Sequence, residues 1–95
     1  MSVARISALT FPTKEKADHF DKVFARIGST YLPSIQSNIS IRTDEFTCVV
    51  VTVYPDEQAA QASRKGVAEW QDHHPEVLES AEGNFYLEGA VTDFM

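Results

Sequence analysis

The densest apolar stretch of the chain runs from Phe46 to Tyr54, FTCVVVTVY. Its two alternating sets are Phe46, Cys48, Val50, Thr52, Tyr54 and Thr47, Val49, Val51, Val53. Neither is polar enough to prefer water, so the pattern predicts a strand covered on both faces. Val3 to Phe11 also alternates, with a mixed set (Val3, Arg5, Ser7, Leu9, Phe11) against a small, apolar one (Ala4, Ile6, Ala8, Thr10), and reads as the first strand. Pro12 breaks that pattern. Thr13 can cap a helix, and Ala17, Phe20, Phe24, Ile27 and Tyr31 follow at spacings of three and four, which predicts an amphipathic helix reaching about Leu32 before Pro33 stops it.

Ser34 to Asn38 is polar and turn-like. Ile39, Ile41 and Thr43 alternate with Ser40 and Arg42 as a second strand, and Asp44-Glu45 is suited to a tight hairpin into the apolar strand. That closure pairs Thr43 with Phe46, Ile41 with Cys48 and Ile39 with Val50, on one face; Arg42, Thr47, Val49, Val51 and Val53 take the other. Pro55-Asp56 ends the third strand, with Asp56 as cap of a second helix reaching about His73 or His74. The inner face of that helix is small (Ala59, Ala60, Ala62, Ser63, Gly66, Val67) until Trp70. One end can therefore sit close to a sheet while the indole props the other away, predicting a wedge-shaped gap. Pro75 permits a helical restart, and Gly83-Asn84 is expected to turn into a last strand from Phe85 to Phe94.

The resulting order, βαββαβ, predicts one ferredoxin-like α+β domain over residues 1–95: a four-stranded antiparallel sheet with two helices on one face. The other face keeps Val49, Val51 and Val53. Strand spacing and rise give it roughly 400 Å², near the largest apolar patch that a monomer exposes. A homodimer with facing sheets is the expectation.

Charge narrows the partners. The net charge is −6, all eight Lys and Arg lie at or before Lys65, and seven acids occupy the remainder. Nucleic acid and anionic lipid both demand clustered cations, so neither is an expected partner. The N-terminal segment shows no signal-peptide or membrane-span pattern, which points to the cytoplasm. Cys48, in mid-strand, has no second cysteine to pair with and reads as a small hydrophobe.

With this order, the valine-rich third strand and the Trp-bearing second helix, the whole chain resembles the dimeric α+β barrel superfamily. Within it, the nearest likeness is to the antibiotic biosynthesis monooxygenase (ABM) family; V-V-V-T-V-Y-P-D-E-Q-A-A at Val49 to Ala60 is similar to that family's strand-to-helix junction. The resemblance implies a ligand held between sheet and helices. It also implies a range of roles, from cofactor-free quinone-forming monooxygenases to haem-degrading enzymes and proteins with no known activity. The haem-degrading branch carries an Asn on its first strand with a Trp and a haem-ligating His on or near its second helix. Trp70 matches the Trp, but Val3 to Phe11 has no Asn, and His73 and His74 follow Trp70 too closely. Haem is therefore not expected, and adjacent helical histidines, about 100° apart, are poorly placed to share a metal.

The candidate catalytic residues are His73, His74 and Tyr54, for proton handling; the candidate ligand contacts are Trp70, Tyr31 and Arg42. Each has a structural alternative: Trp70 as core filler, the histidines as helix-end caps, and Tyr31, Tyr54, Arg42 and Glu88 as snorkelling or paired groups on apolar elements. Phosphate loops, serine-nucleophile motifs and paired-carboxylate spacings are missing from the sequence. Two readings follow, neither calling for a cofactor. One is an oxygenase or isomerase acting on a small aromatic or polyketide-like compound. The other is a dimeric module that binds a small hydrophobic molecule, or serves a structural role, without catalysis.

Overall fold

The computed structural model describes residues 1–79 and 81–93, with side chains for all of these except residues 28, 29, 84 and 85. The elements are β1 (Val3–Thr10), α1 (Lys14–Phe24), α2 (Ile27–Thr30), β2 (Ser37–Arg42), β3 (Thr47–Tyr54), α3 (Glu57–His73), α4 (Pro75–Leu78) and β4 (Glu82–Ala90). The sheet order is β2-β3-β1-β4 with every neighbouring pair antiparallel, the arrangement expected of two split βαβ units. Both long helices start on side-chain caps: Thr13 accepts the Lys16 N–H at 3.2 Å and Asp56 accepts the Ala59 N–H at 2.7 Å, satisfying donors that have no partner within the helix.

β3 divides as its sequence demands. Cys48, Val50, Thr52 and Tyr54 are buried under the helices, where Phe11, Ala17, Phe20, Phe24, Ile27, Leu32, Trp70 and Val77 complete the core. The rings of Phe20 and Phe24 stack at 5.1 Å, and each meets Trp70 edge-on, at 6.3 and 5.8 Å, the geometry that aromatic quadrupoles favour.

Four local expectations are revised. The hairpin into β3 is not closed by two residues but by Thr43–Phe46. Asp44 accepts the Phe46 N–H at 2.8 Å, and Arg42 donates to the carbonyls of Asp44 and Glu45; these local bonds favour the longer turn. The register moves by one residue, setting Ile39 opposite Val51, Ile41 opposite Val49 and Arg42 opposite Cys48. A slip of one exchanges faces, so the two isoleucines join the outer surface and Arg42 turns toward α1.

The first helix ends at Phe24 rather than near Leu32. The Arg26 N–H bonds the Val23 carbonyl at 3.2 Å, a tight three-residue turn, and α2 restarts at Ile27. With this break, and with Gly28 unsuited to a helix interior, Ile27 and Leu32 still reach the core. Gly83-Asn84 lies inside β4 and not in a turn before it: Ala8 faces Phe85 and Leu9 faces Gly83, so Asn84 is the extra residue of a bulge, a frequent place for glycine in a strand. The strand stops at Ala90, and Phe94 falls outside the described residues. Finally, the close approach at Gly66 is to the segment after α2, since a Cβ there would collide with the Tyr31 carbonyl and crowd Leu32 Cδ2 at 3.1 Å.

Candidate functional site

Between the helices and the covered sheet face lies a cavity of about 410 Å³, within the range usual for small-molecule sites. One end is apolar and aromatic, walled by Phe20, Phe24 and Trp70; the other is polar, with Arg5, Arg64, Tyr54 and Tyr86. The alternation of β1 aims Arg5 inward beside Ser7 and Leu9, and β4, paired with it, brings Glu88 opposite Arg5 and Tyr86 opposite Ser7.

Arg5 is buried, and it is accommodated by full pairing. Its Nε donates to Glu88 at 3.0 Å, Nη1 to Ser63 Oγ at 2.7 Å and Nη2 to the Ala60 carbonyl, while the guanidinium lies over the Tyr54 ring, 5.2 Å from its centre. Small residues on α3 are what let the strand cation dock against that helix. Glu88 Oε2 also accepts the Tyr86 hydroxyl at 2.6 Å and faces Arg64 Nη2 at 3.5 Å. The Tyr86 hydrogen bond, followed by that from Arg5, holds the Glu88 carboxyl below its ordinary range; burial, then the neighbouring carboxylate, pushes the Tyr86 phenol up.

Of the residues anticipated from sequence, Trp70 and Tyr54 line this cavity. Trp70 is both wall and core: it is 2% exposed, and its Nε1 has no hydrogen-bond partner among the described residues. Tyr31, His73 and His74 come together elsewhere. The Tyr31 hydroxyl and His73 Nδ1 share a hydrogen bond at 2.8 Å, and the His74 ring lies 6.2 Å from Trp70 and 6.5 Å from Tyr31. His74, Tyr31 and Trp70 border a second depression of about 320 Å³. Arg42 lies at neither cavity; it is clamped by Asp18 at 2.8 Å and Asp21 at 2.9 Å. Cys48 donates to Asp21 at 3.3 Å, and its thiol is pushed up to about 12, chiefly by burial. Among the described residues, no three His, Cys, Asp or Glu side chains gather as a metal-binding group.

Arg5, Arg64 and Tyr86 are the cavity residues that the sequence reading passed over. A signal for one was present: Arg5 is the single charge in the inward set of β1 and so calls for an acidic partner within the fold, which Glu88 of β4 supplies.

No family model matches the chain, and no curated protein matches it by sequence. Its fold matches solved structures along nearly its whole length. SnoaB, a cofactor-independent oxygenase from Streptomyces nogalater, is 16% identical with a TM-score of 0.72, over 99% of this chain and 96% of that one. A candidate antibiotic biosynthesis monooxygenase from Chloroflexus aurantiacus J-10-fl gives a TM-score of 0.80 at 12% identity, over 100% and 97%. A dimeric ferredoxin-like protein from an uncultured marine organism gives 0.69 at 11%, over 100% and 98%. These likenesses define the fold: the chain has the ferredoxin-like α+β fold that these proteins share. Among the described residues, no helix is long and apolar enough to cross a membrane.

Proposed function

We propose that this chain is a small cytoplasmic monooxygenase that works without a cofactor on an aromatic or polyketide-like compound held in the larger cavity. The observation that carries the reading is that cavity's division into an aromatic wall and a polar end, on a fold shared with a cofactor-independent oxygenase. Phe20, Phe24 and Trp70 would clasp a planar ring and keep water from it, while the polar end faces the ring's oxygen substituent. The chemistry suited to such a site begins with loss of a proton from an activated CH₂ group. The anion adds O₂ at carbon, the released proton returns to the peroxide oxygen, and loss of water leaves a carbonyl. Overall R₂CH₂ and O₂ give R₂C=O and H₂O, with all four electrons supplied by the substrate.

Tyr54, in the cavity wall, is proposed to help position the oxygen substituent. Tyr86 and Glu88 are better placed for proton handling than His73 and His74, which lie across Trp70 and are assigned a supporting role for Tyr31 and Trp70. The protein is further proposed to act as a homodimer through the outer sheet face.

The test is oxygen consumption with anthrone-type compounds, which carry the activated CH₂, in the presence of a chelator, with ¹⁸O₂ as label. The reading expects equimolar O₂ uptake, one label in the product carbonyl and the other in water, with uptake lost in Trp70→Ala. Thermal stabilisation by such compounds without O₂ uptake would instead establish the non-catalytic binding module.

A further inference from the structure

The polar end of the cavity has a charge that contrasts with the rest of the molecule. The chain carries a net −6, yet two guanidiniums, those of Arg5 and Arg64, line the cavity, and among the described residues no Asp or Glu does. A single carboxylate, Glu88, stands behind them and serves both, at 3.0 and 3.5 Å, besides accepting from Tyr86. Two cations against one anion leave an excess of positive charge at this end.

The two arginines differ. Arg5 is 9% exposed in its side chain and spends its donors on Glu88, Ser63 and Ala60 while lying over Tyr54. Arg64 stands on α3 at the cavity rim with its side chain 67% exposed, and it reaches Glu88 only at 3.5 Å. A planar five-donor fork held that loosely has donors left for a bidentate partner.

We infer that the ligand of this cavity is an aromatic molecule bearing one anionic oxygen group, a carboxylate or a phenolate, and that Arg64 is the specificity-determining residue that receives it. The inference rests on the reading of the cavity as the ligand site. A neutral ring would cover the guanidinium without compensating it, whereas an anion replaces its water by charge-assisted hydrogen bonds. An ionised oxygen at that end is also the electron-rich state in which an aromatic compound reacts with O₂, and a neighbouring cation favours that state. Because Arg64 is largely in solvent, the discrimination it provides is modest, about fivefold at most between an anion and its neutral isostere.

Isothermal titration of 2-naphthoate and 2-naphthamide tests this, since the two share a ring system and differ in charge. The intact protein is expected to bind the acid up to about fivefold more tightly than the amide, with the difference shrinking as salt is added. Arg64→Gln should abolish the preference, chiefly by weakening binding of the acid, and Arg64→Lys should keep part of it. The exposed position allows either substitution without disturbing the fold, which a thermal melt checks. Binding of 2-naphthol that tightens above its own ionisation assigns the subsite to phenolates; selectivity confined to naphthoate assigns it to carboxylates. Equal affinity for acid and amide together with 2-naphthol binding that does not tighten on ionisation, or a preference surviving Arg64→Gln, overturns the inference and leaves the cavity standing. Absence of binding by every naphthyl compound overturns both.

Discussion

At Glu88 one carboxylate holds together three donors, and its ionisation is worth most where those donors would otherwise be buried unmatched. Its pKa is depressed below the ordinary 4.5, first by the Tyr86 hydroxyl and then by Arg5, against an opposing contribution from burial. A depressed carboxyl stabilises the fold fully above its unfolded value, and the stabilisation disappears as pH falls through the folded one. Glu88→Gln should therefore lower stability at neutral pH, by about 1–3 kcal/mol given the charged hydrogen bonds lost. The gap to the parent protein should close as the solution is acidified below 4.5. Thermal melts of both proteins from pH 7 downward measure this; a gap that stays constant would mean that Glu88 acts through packing. Cys48 presents the opposite case. With its thiol pushed up to about 12 by burial and by Asp21, it carries almost no thiolate near neutrality, and the nucleophile is the thiolate. A disulfide reagent at pH 8 should leave the folded protein unmodified and react fully once urea is added; rapid modification of the native state would show that the strand opens there.

At the scale of elements, what could be read in advance depended on how local the deciding interaction is. The strands and long helices were legible because their signals lie within the segment: β-branched density for β3, three-and-four spacing for α1, Asp56 followed by small residues for α3. The hairpin register was not, because Asp44-Glu45 suits a two-residue turn as well as a four-residue one, and the choice falls to the Asp44 and Arg42 bonds that only the folded loop displays. The site divides in the same way. Trp70 and Tyr54 were recognisable as cavity residues from the contrast in size along α3 and the position of Tyr54 at the strand end. Arg42 and Arg5, by contrast, look alike in sequence, each an arginine on an alternating strand; they are separated only by what packs above them, Asp18 and Asp21 for one and the cavity for the other. Gly66 gives the clearest test of how α3 is seated. In an exposed helix, alanine would stabilise relative to glycine by about 1 kcal/mol. Here its Cβ meets the Tyr31 backbone, so Gly66→Ala is expected to cost a net 1–3 kcal/mol, about the usual price of overpacking. A shift of the urea midpoint to lower concentration carries the prediction, and a shift to higher concentration would mean that α3 stands further from the segment after α2.

At the scale of the whole molecule, the face opposite the helices is the unfinished surface. Register aligns Ile39, Val51, Ile6 and Leu87 in a single row across all four strands, and Ile41 opposite Val49 begins the next. The corrected hairpin register strengthens this face, because it adds two isoleucines that the two-residue turn would have buried under the helices. Ile39, Ile41 and Leu87 are 49%, 45% and 61% exposed, and no charged residue interrupts the row. Sheets that remain single commonly place charges across such surfaces, so their absence argues for a second copy of this chain with its own row laid against this one. Sedimentation at micromolar concentration should then find twice the 10.6 kDa chain mass. Val51→Lys, at the centre of the row, would bury an unpaired ammonium and should yield monomer or aggregate in place of that dimer. Ile41→Lys, nearer the edge, lets its amine reach water and should weaken the dimer without abolishing it. A single-chain species at every concentration, or a Val51→Lys protein that dimerises like the parent, would leave the row without its proposed partner.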